Sequence, residues 1–90
     1  MDKNTVDKLR NLIDATIYAA TKNDAKIPIR QLEFMASNIK GKIHPYAFGK
    51  LREAINYAME ASGRVENKEH WISNVNTSWY VFENDVVDEE

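Results

Sequence analysis

The first third of the chain carries apolar residues at the spacing of a helix. They recur at intervals of three and four residues, which places them on one face. The positions are Val6, Leu9, Ile13, Ile17 and Ala20. We expect Asn4 or Thr5 to cap this helix, which should run to about Lys22.

A second helix is predicted from about Ile29 to Ile39, after a short extended segment around Pro28. Proline suits a position near a helix start, because it lacks the backbone donor that an interior position needs. The apolar positions of this helix are Ile29, Leu32, Met35, Ala36 and Ile39. Gly41 follows the last of them and is expected to close the helix in the left-handed conformation.

A third helix is predicted from Pro45 to Ala61, with proline at its first position and Ser62 and Gly63 at its end. Its buried stripe is expected to be Ala47, Leu51, Ala54, Ile55, Ala58 and Met59. After Gly63 the pattern changes, and two short aromatic segments flank a polar stretch. We predict a β-hairpin with strands near 70–72 and 79–82 and a turn at 74–77.

This order of elements resembles the winged helix-turn-helix domain over roughly residues 5–82. The resemblance implies a mainly α fold with a small β-hairpin (α+β), in which three helices precede a two-stranded antiparallel wing. The helix at 29–39 would be the supporting helix and the helix at 45–61 the recognition helix. The wing tip would lie at 74–77, and the recognition helix would enter a major groove.

Basic residues are concentrated in the middle of the chain. Six of the twelve lysines and arginines lie between Lys26 and Arg52, where the one acid is Glu33. Residues 1–82 carry twelve basic and nine acidic residues, or +3, whereas residues 83–90 carry five acids. The distribution predicts one basic domain and a disordered acidic tail that restrains a polyanion-binding surface.

On the winged-helix resemblance, the basic segment would bind double-stranded DNA. Lysine and arginine neutralise phosphates, and arginine, lysine and asparagine suit the acceptors and donors of guanine and adenine. The candidate nucleic-acid-binding residues are Arg30, Lys40, Lys42, Tyr46, Lys50, Arg52 and Asn56. The first three are expected at phosphates, and Lys50, Arg52 and Asn56 at base edges. The alternative is a solvated surface without a ligand.

The predicted hairpin carries more aromatic surface than two strands bury. Trp71, Trp79 and Tyr80 are therefore candidates for a protein interface, with another protein or with a second copy in a homodimer. The alternative is that these rings complete the core. A three-residue loop would place Trp71 opposite Trp79 and a four-residue loop would place it opposite Tyr80, so two registers fit the sequence.

Composition argues against several other classes of protein. The chain has no cysteine for a disulfide or a thiolate metal site, and His44 and His70 lack metal-ligand spacing, so capping or surface roles are expected. Phosphate-loop, nucleophile and paired-carboxylate motifs are missing, so we predict a non-catalytic protein without a cofactor. Neither a signal peptide nor an apolar run of about 18 residues is present, which favours the cytoplasm and no membrane partner.

The leading hypothesis from the sequence is a small DNA-binding protein, a transcriptional regulator or accessory factor of prokaryotic or viral type. Its helix at 45–61 would recognise the DNA. The alternative is a protein-binding inhibitor or adaptor, for example a phage-encoded antagonist of a host defence or transcription complex. One scaffold can serve either role, because a fold does not fix a function.

Overall fold

A computed structural model describes residues 1–86, which form four α-helices and no strand. The helices are α1 (Lys3–Ile17), α2 (Lys26–Ile39), α3 (Pro45–Ala61) and α4 (Lys68–Val86). The predicted α+β class is therefore wrong, since the segment expected to form the wing is helical.

All four helices contribute to one hydrophobic core. The interface between α3 and α4 is the most extensive, and α1 packs against both α2 and α3. The largest fully buried side chains include Leu9, Ile13, Ile17, Leu32, Leu51, Ile55, Val75, Trp79 and Phe82. Alanines of α3 lie between them and allow the helices to approach closely.

The first helix buries four of its five predicted apolar positions but has different ends, and Ala20 lies beyond the helix and is exposed. Asp2, rather than either predicted cap, accepts a hydrogen bond from the backbone N–H of Asn4 at 3.1 Å. The helix ends at Ile17 rather than near Lys22. The Ile17 carbonyl, which a longer helix would bond internally, instead accepts from the ammonium group of Lys68 at 2.7 Å.

The second helix begins at Lys26, so the predicted extended segment around Pro28 is wrong. Pro28 lies in the first helical turn, where backbone N–H groups have no intrahelical acceptor, so its lack of an N–H breaks no helical hydrogen bond. Ile29 makes the first regular bond, from its N–H to the Ala25 carbonyl at 3.0 Å. Gly41 has φ +84°, which confirms its predicted left-handed conformation after α2.

The third helix spans Pro45–Ala61, as predicted. His44 caps it, because its Nδ1 accepts a hydrogen bond from the Tyr46 N–H at 3.1 Å. Of the six predicted apolar positions, Met59 alone is exposed. The other five lie in the core.

The predicted hairpin is wrong, because 68–86 form the long helix α4. Its buried residues follow a helical spacing and are Val75, Ser78, Trp79, Phe82 and Val86. Residues 74–77 form one helical turn, in which Val75 is buried and Thr77 is exposed. Burial against α3 overrides the strand preference of tryptophan, tyrosine and valine. A signal was present, since no glycine or proline that a tight hairpin turn favours follows Gly63.

The acidic end of the sequence begins inside α4. Glu83 and Asp85 belong to its last turns, and Val86 is buried. The ammonium group of Met1 donates to the Val86 carbonyl at 2.8 Å, which joins the chain start to the end of α4. The predicted disordered tail otherwise falls on residues 87–90, which lie outside the described residues.

Candidate functional site

The predicted base-reading residues of α3 point to different sides of that helix. Lys50 and Arg52 are two residues apart, so they lie roughly 160° apart around the axis. Arg52 Nη1 donates to Glu33 Oε1 of α2 at 3.0 Å. Lys50 Nζ lies 3.3 Å from Glu53 Oε2. Both cations are therefore neutralised within the chain.

The Lys50 ion pair also belongs to the contact between α3 and α4. Glu53 Oε1 accepts a hydrogen bond from Ser78 Oγ at 3.1 Å. Lys50 Nζ lies 5.6 Å from the centre of the Tyr46 ring, a cation–π distance. A DNA phosphate would have to compete with these intramolecular partners for Lys50.

The other predicted nucleic-acid contacts are distributed over separate surfaces. Arg30 lines a groove between α1 and α2, whereas Lys40 lines a depression between α2 and α3 together with Arg52. Lys42 lies exposed in the turn before α3, and Asn56 lies exposed on α3. Lys40 and Arg52 line the same depression, and Lys50 lies beside Tyr46, but the seven predicted residues do not form one surface.

The three predicted interface aromatics also separate in the structure. Trp79 is 2% exposed and packs on Phe82 with ring centres 5.1 Å apart, so it belongs to the core. Trp71 is partly buried and lies 6.1 Å from Tyr57. Tyr80 is 57% exposed and is the most exposed of the three residues.

Two of the three most exposed large apolar residues lie on α2, where the sequence predicted Arg30 as a phosphate contact but no apolar site. Ile27 is 67% exposed and Phe34 is 68% exposed. They are seven residues apart, so they lie on the same side of α2 and about 10.5 Å apart along its axis. The sequence pattern had assigned Ile27 to an extended segment and left Phe34 outside the buried stripe. A phenylalanine off the apolar stripe was the available signal.

Phe34 borders a groove of about 490 Å³ between α1 and α2, which we call the α2 groove. Its lining residues are Lys8, Leu12, Arg30, Gln31, Phe34 and Met35. Leu12 and Met35 are half-buried and continue into the hydrophobic core. The α2 groove therefore connects an exposed ring to the apolar interior.

The polar rim of the α2 groove is cationic. Lys8 and Arg30 supply its charges, and no carboxylate is among its lining residues. Neither cation makes a hydrogen bond or an ion pair with another of the residues 1–86. The rim thus differs from Lys50 and Arg52, whose charges are satisfied inside the chain.

Two other lysines donate hydrogen bonds to backbone carbonyls in the region where α1 and α3 end and α4 begins. Lys68 Nζ donates to the carbonyls of Ile17, Ala61 and Gly63 at 2.7, 2.8 and 2.7 Å. Lys22 Nζ donates to the Met59 carbonyl at 3.0 Å. We call this the lysine-capped junction. Lys68 satisfies carbonyls at the ends of α1 and α3, whereas the Met59 carbonyl bonded by Lys22 also accepts from Ser62 Oγ at 2.6 Å.

Within the described residues, no three His, Cys, Asp or Glu side chains come together as metal ligands. None of the four helices has the length and apolar character required to cross a bilayer. No family model, curated protein or solved structure matches the chain.

Proposed function

We propose that this protein is a small, non-catalytic protein-interaction module and that it binds its partner through the α2 groove and the adjoining side chain of Ile27. The observation that carries the proposal is the exposure of Ile27 and Phe34 on one side of α2. Clustered apolar side chains with a polar rim are typical of protein interfaces. An exposed phenylalanine next to a groove can anchor such an interface.

The DNA-binding hypothesis has less support from the geometry. The wing predicted to accompany the recognition helix is absent from residues 1–86, and Lys50 and Arg52 are ion-paired. The prediction of a winged-helix fold is therefore corrected, and the DNA-binding and transcriptional roles drawn from that resemblance lose their structural basis. Contacts within the chain account for Lys50 and Arg52, and the rim of the α2 groove accounts for Arg30. Lys40 and Lys42 remain exposed.

A module of this size would act by occupying a surface of its partner, as an inhibitor or an adaptor. The proposed setting is the cytoplasm, with which a sequence without cysteine is consistent. No catalytic step is proposed. The absence of catalysis remains a prediction from the sequence motifs.

The test is affinity capture from a nuclease-treated lysate with three forms of the full chain. These are the natural protein, the double variant Ile27→Ser/Phe34→Ser, and the control Tyr80→Ser, which removes an exposed aromatic ring from α4. We expect a partner retained by the natural protein and the control but lost by the double variant. Circular dichroism should show all three equally helical.

Two results would contradict the proposal. One is a retained partner that the double variant binds as well as the natural protein, which would place the interface elsewhere. The other is the absence of any retained protein combined with a salt-dependent electrophoretic shift of duplex DNA, weakened by Lys40→Ala/Lys42→Ala. That outcome would favour nucleic-acid binding by the basic segment.

A further inference from the structure

We infer that the occupant of the α2 groove is an amphipathic helix of the partner, with a row of apolar side chains flanked by acidic residues. The inference rests on the proposed function, because it specifies the partner for the same surface. Its support comes from the shape of the groove, its charge and the secondary structure around it.

The groove has the form that a helix can fill. Its walls are one turn of α1, from Lys8 to Leu12, and one turn of α2, from Arg30 to Phe34. With Ile27, the exposed apolar side chains extend over two turns of α2. A partner helix with apolar residues at i, i+3 or i+4, and i+7 covers the same length of about 10.5 Å.

A partner β-strand would fit less well. A β-strand from a partner binds by extending a sheet edge, which satisfies its backbone donors and acceptors. Residues 1–86 form helices and provide no sheet edge. A helical partner satisfies its own backbone and presents only side chains to the groove.

Charge complementarity selects an acidic partner helix. Lys8 and Arg30 border the groove, and Lys26 lies one turn before Arg30 on the exposed side of α2. None of the three is ion-paired with another described residue. A glutamate-flanked helix would gain contacts with these cations, whereas a lysine-flanked helix would be repelled.

The same charges disfavour a second copy of this chain as the occupant. A two-fold dimer would place the same surface on both subunits. Lys8 and Arg30 of each copy would then face the basic rim of the other, without a carboxylate in the lining to offset them. We therefore assign the groove to a different, acidic protein.

The experiment measures binding of three fluorescent helical peptides of about four turns to the full chain by anisotropy. The first carries leucines at i, i+3 and i+7 with glutamates on both flanks. The second replaces those glutamates with lysines, and the third replaces the leucines with alanines. We expect the glutamate peptide to bind, the lysine peptide to bind about tenfold more weakly, and the alanine peptide not to bind.

Protein variants locate the contacts. Phe34→Ser should weaken the glutamate peptide at least tenfold. The double variant Lys8→Glu/Arg30→Glu should reverse the preference, so that the lysine peptide binds better. The matched control Lys40→Glu/Lys42→Glu makes the same change in net charge away from the groove, and it should preserve the preference for glutamate.

Several outcomes would overturn the inference. Equal binding of the glutamate and lysine peptides would show that charge does not select the partner. Failure of all three peptides to bind would show that the groove does not bind a helix of this kind. Concentration-dependent dimerisation in sedimentation that Phe34→Ser abolishes would assign the groove to a second copy. If a lysate protein is still captured through Ile27 and Phe34 while the peptides fail, the inference falls and the proposed function stands.

Discussion

The lysine-capped junction and the α2 groove use the same residue types in opposite ways. At the junction, Lys68 and Lys22 donate to backbone carbonyls at the ends of helices. At the groove, Lys8 and Arg30 border exposed apolar surface and have no bonded partner among residues 1–86. The junction is complete within one chain, whereas the groove offers contacts that a second molecule would complete.

The comparison separates residues that maintain the fold from residues available for binding. Substitution at the junction should change the free energy of unfolding, because a carbonyl deprived of its donor is costly when buried. Substitution at the groove should change binding and leave stability nearly constant. Urea unfolding followed by circular dichroism measures the first effect and peptide anisotropy the second.

The largest expected effect is that of Lys68→Met, which keeps the apolar stem and removes the ammonium group. Three carbonyls would lose their donor, and we expect a loss of about 3 kcal/mol in the free energy of unfolding. The control is Lys26→Met, on the exposed side of α2, which should change it by less than about 0.5 kcal/mol. Equal unfolding midpoints for the two variants would show that the junction contributes no more than an ordinary surface lysine.

Gly63→Ala is expected to have the next largest effect. Gly63 is buried and has φ +71°, and a Cβ atom there would lie 3.0 Å from the backbone nitrogen of Lys22. Left-handed strain and this contact should together cost about 2 kcal/mol in urea unfolding. Gly49→Ala is the matched control, because Gly49 lies inside α3 with open space around it, and alanine there should stabilise the helix by up to about 1 kcal/mol. A neutral Gly63→Ala would mean that the junction relaxes without cost.

Lys22→Met should have a smaller effect than Lys68→Met. Lys22 is exposed, and its bonds to the Met59 carbonyl and to Ser62 Oγ, at 3.0 and 3.3 Å, are longer than those of Lys68. We expect a loss of about 1 kcal/mol in the free energy of unfolding. A loss as large as that of Lys68→Met would show that the two lysines act as one unit, which the double variant would reveal by non-additivity.

Phe34→Ser should have the smallest effect on stability. The ring is already 68% exposed, so its removal should change the free energy of unfolding by less than about 0.5 kcal/mol. Binding of the acidic helical peptide should nevertheless fall at least tenfold. A large loss of stability with unchanged binding would reverse the assignment of the α2 groove and make Phe34 a structural residue.

The candidate site was predictable only in part. Arg30 was singled out from the basic segment, although for phosphates rather than for a protein partner. Lys8 and Leu12 lie in α1, and they line the same groove as Phe34 only because α1 and α2 pack together in the tertiary structure. Ile27 was misassigned because the proline beside it suggested a break, while the first turn of a helix accepts proline readily.

The sequence by itself determined the three amphipathic helices and most of their buried positions. It also determined the left-handed turn at Gly41 and the concentration of charge in the middle of the chain. These properties are local, because helix period, capping and glycine conformation depend on residues within a few positions of one another.

Only the tertiary structure decided that 68–86 form a helix, that Trp79 is buried and that Phe34 is not. It also decided which lysines are bonded, since Lys68 meets the Ile17 carbonyl across 51 positions of sequence. The physical reason is that burial and pairing depend on which surfaces meet in space. Packing against α3 made a helix of a segment whose composition favours strands.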